Sequence, residues 1–162
     1  MITQTELKGL LDYNPETGVF TWRISPKPGK SPGCTAGSKR GKRGVRIVIQ
    51  QHEYLAHRLA WFYTYNVWPD NFIDHINQDP LDNRLCNLRL ASNTENQWNR
   101  GTPSNNTSGH KGVRLDKQTG KWKAQCTVHG KAFHLGYFKD VDAAIEARRK
   151  FATANYGEFY HG

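Results

Sequence analysis

Three segments in which apolar and polar residues alternate most constrain how residues 110–159 can fold. They read HKGVRLD, KWKAQCTV and KAFHLGYF, and KQTG and HG join them. Such alternation predicts half-buried strands, and Gly in short connections favours hairpins. Asp140 then begins a helix that Gly157 ends. The expected apolar face of this helix consists of Ala144, Ile145, Ala147, Phe151 and Ala154. The segment therefore predicts a three-stranded antiparallel sheet packed on one helix.

A segment of linker composition separates this module from the rest of the chain. Residues 100–109 read RGTPSNNTSG and have no apolar periodicity, which predicts a linker at 101–109. The elements predicted upstream are a helix at 5–11, strands at 19–24 and 44–50, a basic loop at 25–44 and an amphipathic helix at 53–66. We interpret His57, in the last of these helices, as a hydrogen-bonded structural histidine rather than a ligand. The expected fold class is α+β, with residues 1–100 before the linker and a separate domain at 110–159.

The net charge of +9 is unevenly distributed along the chain. Residues 1–60 carry a net charge of +6, residues 61–109 of −2 and residues 110–162 of +5. Lys and Arg interleaved with Trp and Tyr in the two flanks favour nucleic-acid binding, which releases counterions. The acidic centre would repel the same polyanion unless a cation lay between them. A metal-dependent nuclease needs this distribution, whereas one charged run alone is more often a solvated face.

Other bulk properties argue against several classes of protein. No apolar run approaches the ~18 residues that span a bilayer. The N-terminus has no signal-peptide pattern, so we expect a cytoplasmic protein. Cys34, Cys86 and Cys126 are widely spaced and never form a CxxC pair. This spacing argues against a disulfide framework and against a structural zinc site.

The acidic centre contains the candidate site, DHINQDPLDNRLCNLR at 74–89. The preceding apolar approach predicts a strand that ends at Asp74 and His75. Successive side chains of a strand point to opposite faces, so these two can share a site only where the strand ends or bulges. The NQDP that follows makes an ending plausible, and NLRL at 87–90 can return as a second strand.

A helix start follows the second strand. Ser92 and Glu95 match the S/T-x-x-E capping box. They place Asn96 in the early part of a short helix, which Gly101 ends. The predicted order is therefore strand, loop, strand and helix, with Asn96 on the last element.

In this order and spacing, the residues resemble the HNH endonuclease family with its ββα-metal site. The matching motifs are DH at 74–75, DN at 82–83, NLR at 87–89 and the Asn96 of TENQWNR, and the upstream AHRLAWFY and LLDYNPETGVFTW also resemble phage-type members. The resemblance covers roughly residues 1–100, with a core at about 54–100. It implies that His75 is the general base, that Asn87 fixes the His75 ring, and that Asp74 and Asn96 are metal ligands. The third residue of the H-N-H pattern that names the family is often His, and here it is Asn96. Asn93 and Asn99 remain alternatives to Asn96 as the metal ligand.

The chemistry of phosphodiester hydrolysis explains these residue types. A neutral histidine, with an ordinary pKa of about 6.5, can take a proton from water at cellular pH. Its other ring nitrogen needs a fixed partner that sets the tautomer. One carboxylate and one amide oxygen form a sparse site of hard oxygens. Such a site suits one Mg²⁺, with Mn²⁺ as the alternative, because the substrate phosphate and water supply the remaining ligands.

The C-terminal module resembles an AP2 DNA-binding domain. The matching residues are GVR at 112–114, GKW at 120–122, LGYF at 135–138 and the Ala pair of the following helix. The family lays its three-stranded sheet in the major groove, which implies DNA contacts from Arg114, Lys121, Trp122, Lys123, Gln125, Lys131 and His134. Trp122 shares a predicted face with Ala124 and Cys126, so it is either a DNA contact or a core residue. His134 stands where plant members usually carry Trp, so base preferences cannot be transferred.

Side-chain chemistry divides these contacts by role. Arg pairs bidentately with guanine and Gln with adenine, so Arg114 and Gln125 are the expected base contacts, while Lys more often holds phosphate. The basic loop before the second upstream strand is expected to add contacts to the DNA backbone. These are Lys39, Arg40, Lys42, Arg43 and Arg46.

The sequence thus predicts a metal-dependent endonuclease that hydrolyses double-stranded DNA at sites selected by the AP2-like module. A phage homing-type enzyme in the cytoplasm of a bacterial host is the expected setting. A monomer would nick one strand, and a weak dimer could cut both. The alternative is a DNA-binding protein whose HNH core has lost its activity.

Overall fold

The computed structural model describes residues 2–26, 28–41, 44–102, 106 and 108–160. The chain divides into two compact units, Met1–Ala91 and Ser92–Gly162. This division lies before the linker that composition predicts at 101–109. The physical reason for this boundary is that the helix after Ser92 packs within the second unit.

The first unit opens with a helix and a hairpin. Helix α1, Gln4–Leu10, begins with a capping box between Thr3 and Glu6, and it buries Leu7. Strands β1, Leu11–Asn14, and β2, Val19–Trp22, pair antiparallel. The helix and β2 agree with the predicted elements. The sequence did not predict β1, because its four residues follow the helix without a break.

A three-stranded sheet and a helix complete the core of this unit. Strands β3, Ser38–Lys39, β4, Val45–Ile49, and β5, His52–Leu55, lie in the order β3-β4-β5. Helix α2 is Ala56–Tyr65, so the predicted helix at 53–66 began too early. The reason is the tight turn at Gln50 and Gln51, both with positive φ, which returns the chain to pair with β4. The largest fully buried side chains are Leu7, Leu11, Ile47 and Leu59.

The candidate site lies on a two-stranded ribbon in the same unit. Strand β6, Phe72–His75, pairs antiparallel with β7, Leu88–Ala91. The register places Asp74 opposite Arg89 and His75 opposite Leu88. A 3-10 turn at Leu85–Asn87 precedes β7. The predicted strand end at Asp74 and His75 is confirmed.

The second unit begins with helix α3, Asn93–Asn99, whose predicted capping box of Ser92 and Glu95 is present. Strands β8, Val113–Asp116, β9, Lys121–Val128, and β10, Lys131–Phe138, form an antiparallel sheet in the order β10-β9-β8. Helix α4, Val141–Tyr156, follows the Asp140 cap, and a 3-10 turn spans Gly157–Phe159. The buried core between sheet and helix contains Val113, Ala124 and Ala144.

Contacts of Trp98 explain why α3 belongs to this unit. The Trp98 ring stacks on Tyr156 with centroids 4.4 Å apart, and its Nε1 donates to the Thr127 carbonyl at 3.2 Å. Lys111 Nζ donates to the carbonyls of Gln97, Trp98 and Arg100 at the end of the helix. These bonds satisfy carbonyls that a helix end leaves without a partner.

The buried face of α4 differs from the predicted one. It consists of Ala144, Arg148, Ala152 and Tyr156, at a spacing of four residues. Ala154, expected inside, is exposed. The pattern could not predict Arg148, because a charged residue is rarely buried unless it is paired. Within the described ranges, no helix combines the length and apolar character that crossing a membrane requires.

Candidate active site

Asp74 lies at the end of β6 in a buried ion pair. Its side chain is 5% exposed, its Oδ2 accepts a hydrogen bond from Arg89 Nε at 2.9 Å, and Arg89 Nη2 lies 2.9 Å from the same oxygen as an ion-pair contact. Arg89 stands directly opposite on β7, so the strand register creates the pair. The guanidinium therefore balances the charge of the carboxylate expected to bind a metal.

His75 is the last residue of β6 and contacts two side chains from other elements. Its Nε2 lies 3.3 Å from Asn83 Oδ1, and its ring meets the edge of His57 at a centroid distance of 5.0 Å. Asn83 is 2% exposed, and its Nδ2 donates to the Leu81 carbonyl. Asn83 thus presents its oxygen to the imidazole. Nε2 must then carry the proton, which makes Nδ1 the basic nitrogen.

Among the described residues, the hydrogen bonds of the Asn87 side chain go to the loop and not to His75. Its Oδ1 accepts from the Asn77 amide at 3.0 Å, and its Nδ2 donates to Asn77 Oδ1 at 3.0 Å and to the Asp82 carbonyl at 2.8 Å. These bonds close the loop between β6 and β7. The structure therefore assigns the contact with His75 to Asn83, and Asn87 holds the loop that carries it. Sequence spacing could not separate the two, because both asparagines lie in the same short loop.

The hairpin β1-β2 supports this loop from outside the matched motifs. Tyr13 Oη donates to the Asn83 carbonyl at 2.8 Å, and the Leu85 amide donates to the Pro15 carbonyl at 3.1 Å. A Cβ on Gly18 would lie 2.4 Å from the Arg84 amide nitrogen, so only glycine allows this approach. Burial, above all, raises the pKa of Tyr13 to about 12.

His57 lies on α2 beside His75. Burial, and then the charges of His75 and Arg58, lower the pKa of His57 to about 3. Its Nδ1 is buried, and among the described residues it has no hydrogen-bond partner. His57 is therefore buried, as we expected of a structural histidine, but among the described residues the expected hydrogen bond is not found at its Nδ1. A neutral His57 places no positive charge against the His75 ring.

Asn96 lies on α3, in the second unit. Its backbone N–H donates to the Ser92 carbonyl at 3.0 Å, and the residue is partly buried. Of its alternatives, Asn93 accepts from Gln97 Nε2 at 3.4 Å, and Asn99 is buried.

The donor types fit the divalent cation that HNH nucleases generally use. Among the described residues, no three His, Cys, Asp or Glu side chains come together as a metal cluster. Asp74 on the first unit carries a carboxylate of the expected type, and Asn96 on the second unit stays a predicted ligand. A hard cation such as Mg²⁺ tolerates so few protein ligands, because it keeps several waters.

Five of the predicted DNA-contacting side chains share the sheet face opposite α4. They are Arg114, Lys121, Lys123, Gln125 and His134, and the strand registers Arg114–Lys123 and Gln125–His134 place them on one side. A β-bulge between His134 and Gly136 also brings Tyr137 to this side, opposite Lys123. The ring of Tyr137 lies 4.8 Å from His134 and 6.0 Å below Lys123 Nζ. Tyr137 was not predicted, because strict alternation would turn it away from His134.

Two other predicted contacts lie on the opposite side of the same sheet. Trp122 packs against the core of Val113, Ala124 and Ala144, which resolves its role in favour of the core. Lys131 pairs with Val128, whose side chain is buried on the α4 side. We call the side of the sheet opposite α4 the basic sheet face. Its residues are Arg114, Lys121, Lys123, Gln125, His134 and Tyr137.

The basic loop of the first unit is only partly described. Lys39 and Arg40 are exposed. Arg46 forms an ion pair with Glu53, so its charge is already balanced within the protein. Lys42 and Arg43 lie outside the described residues.

Comparisons with known proteins agree with the geometry of the first unit. A family model described as HNH endonuclease matches residues 54–98. Protein 3.8 of Escherichia phage T7 is 48% identical over 90 residues, which cover 54% of this chain and 74% of that protein. An uncharacterized HNH endonuclease of Acanthamoeba polyphaga mimivirus is 28% identical over 121 residues, or 74% of this chain and 62% of its own length. No solved structure matches. With the motif on a β6-loop-β7 ribbon, residues 54–98 form a domain of the HNH endonuclease family, and the chain belongs to the same protein family as Protein 3.8 of phage T7.

Proposed function

We propose that the protein is a divalent-metal-dependent endonuclease that hydrolyses double-stranded DNA, with His75 as general base. The observation that carries the proposal is the contact between His75 Nε2 and Asn83 Oδ1 at 3.3 Å. It fixes the tautomer that leaves Nδ1 able to accept the proton of an attacking water. Asn83, rather than Asn87, is the residue that orients the ring.

The residues around His75 prepare it for this role. His57 packs against its ring and stays neutral, because the pKa of His57 is lowered to about 3. Asp74 and Asn96 would hold the cation, which would neutralise charge on the phosphate and on the leaving oxygen. Arg89 keeps the Asp74 carboxylate oriented on the ribbon.

The basic sheet face is the proposed DNA-reading surface, as in an AP2-like domain. Arg114 and Gln125 are the proposed base contacts, while Lys121 and Lys123 hold phosphates. Lys39 and Arg40 are exposed on the first unit and would add contacts to the DNA backbone. A phage homing-type enzyme, acting in the cytoplasm of a bacterial host as a monomer or weak dimer, is the setting we propose.

One observation favours a second candidate, a DNA-binding protein without nuclease activity. Arg89 already occupies Oδ2 of Asp74, the carboxylate that would bind the cation. If this ion pair persists on DNA, Arg89 competes with the cation for the carboxylate, and without the cation only binding remains. The two candidates differ in whether added metal produces cleavage.

A plasmid assay separates them. Supercoiled DNA is incubated with the full chain in Mg²⁺, in Mn²⁺ and in EDTA, and strand scission is followed on a gel. We expect cleavage with either metal, none in EDTA, and none for His75→Ala, whose duplex affinity should be retained. His52→Ala is the matched control, because His52 is an exposed histidine of the same unit. Cleavage by His75→Ala at the parent rate would refute the mechanism, and metal-independent binding without scission would favour the second candidate.

A further inference from the structure

The second unit contains a buried cation that the proposed nuclease chemistry does not use. Arg148 on α4 is 7% exposed, and its Nε is buried without a hydrogen-bond partner among the described residues. Its guanidinium contacts only π faces in the part of the chain described, at 5.9 Å from Tyr156 and 5.4 Å from Tyr160. Buried charges in proteins are normally paired or hydrogen-bonded. The buried Nε–H therefore offers a hydrogen-bond donor that an anion can fill.

A cavity lies against this guanidinium. It has a volume of about 370 Å³, within the ~300–1,000 Å³ typical of ligand pockets. Its polar lining includes Arg148, Lys111, Thr94, Gln97, Gln125 and Thr127, and among the described residues no Asp or Glu lines it. Space beside Arg148 Nε is kept by Gly112, where a Cβ would lie 3.3 Å from that nitrogen.

A second cation adds to the positive potential of the cavity. Lys111 Nζ donates to three carbonyls at the end of α3, which fixes its ammonium group at the cavity wall. Burial and then the nearby charge of Arg148 lower the pKa of Lys111 to about 8. Burial is the larger cause of this shift, and the like charge of Arg148 adds to it.

We propose that this cavity binds a single phosphoryl group, with the Arg148 guanidinium as its charged donor. A planar guanidinium suits a tetrahedral oxyanion because several N–H groups can bond to it at once. The side chains of Thr94 and Gln97 on α3 would add neutral oxygen contacts. A backbone phosphate of bound nucleic acid is one source of the group. Free inorganic phosphate is the other, and the site does not depend on nuclease activity.

Thermal unfolding of the full chain tests the site with inorganic phosphate as the probe. Phosphate replaces chloride at constant ionic strength, and the parent is compared with Arg148→Met and Arg149→Met. Arg149 is the matched control because it is the adjacent arginine, exposed and paired with Glu146. Phosphate also stabilises proteins without binding to them, and all three chains share this effect.

We expect phosphate to stabilise the parent and Arg149→Met beyond this shared effect. At a concentration of one hundred times its Kd, phosphate should raise the folding equilibrium constants of the parent and of Arg149→Met by about 100-fold beyond the shared effect. The folding equilibrium constant of Arg148→Met should show the shared effect alone. Without phosphate, Arg148→Met should be at least as stable as the parent, since it no longer buries an unpaired charge. An equal phosphate response in all three chains would overturn the proposal, and so would loss of stability in Arg148→Met with its phosphate response intact.

A spectroscopic readout on the parent does not rely on any variant folding. The Arg148 Nε–H signal in a nitrogen-15 correlation spectrum should shift and saturate with inorganic phosphate. If a DNA duplex causes the same shift and phosphate competes with it, the group comes from the nucleic-acid backbone. A shift with inorganic phosphate alone assigns the site to the free anion. A signal that neither probe moves would overturn the site.

Discussion

Removing Arg89 should leave the buried Asp74 carboxylate without the guanidinium that balances its charge. The side chains of Arg89 and Asp74 are 12% and 5% exposed, so water cannot replace the lost contact. Breaking a buried ion pair by removing one partner costs about 3–5 kcal/mol. For a unit of this size, about 4–8 °C is lost per kcal/mol, so Arg89→Met should lower the unfolding midpoint of the first unit by roughly 12 °C or more.

Urea and thermal unfolding of the full chain measure this change. Arg23→Met is the control, because it breaks the exposed pair with Asp12 in the same unit and should cost about 0–1 kcal/mol. The double variant Asp74→Asn with Arg89→Met should recover much of the loss, because no buried charge is left alone. A loss below about 1 kcal/mol for Arg89→Met would refute the reasoning, since that is the value of a surface ion pair.

Three further changes test other parts of the site. Tyr13→Phe removes the donor to the Asn83 carbonyl and should lower the free energy of unfolding in urea by about 1–3 kcal/mol. It should also lower kcat more than it changes KM. An unchanged kcat would show that this contact does not position the His75 ring. The pKa of His57 is lowered to about 3 in the folded chain, so as pH falls His57 is protonated in the unfolded chain before it is protonated in the folded one. The free energy of unfolding of the parent, relative to that of His57→Gln, should therefore decrease as pH falls from about 6.5 towards 3. A difference that does not depend on pH would contradict this assignment. Arg114→Gln should weaken binding to the preferred duplex by about 1–3 kcal/mol, whereas Lys131→Gln, on the opposite side of the sheet, should not weaken it. Equal losses of affinity in the two variants would exclude the basic sheet face as the DNA-recognition surface.

The sequence predicted those parts of the fold that rest on local chemistry. The capping box of Ser92 and Glu95 and the strand end at Asp74 and His75 follow from patterns within a few residues. The choice between Asn83 and Asn87 as partner of His75 depends on how the loop folds back on itself. No pattern of spacing contains that information.

Long-range packing explains the other differences. The sequence placed the domain boundary in a polar segment, but the stacking of Trp98 on Tyr156 joins α3 to the second unit. A deletion of residues 110–162 would therefore expose Trp98 as well as remove the sheet. Point changes on the basic sheet face are the cleaner test of recognition. Tyr137 was missed for a related reason, because a bulge changes which side chains share a face.

The family match at 54–98 does not by itself contain a complete folding unit. Leu59 of α2 is fully buried, and the other large, fully buried side chains, Leu7, Leu11 and Ile47, all precede residue 54. The same N-terminal region supplies Tyr13 to the loop that holds Asn83. The residues that complete the core therefore also position the contact to His75. We expect that a fragment of residues 54–98 would lose both the buried core and the orientation of the proposed base, because one set of contacts provides them.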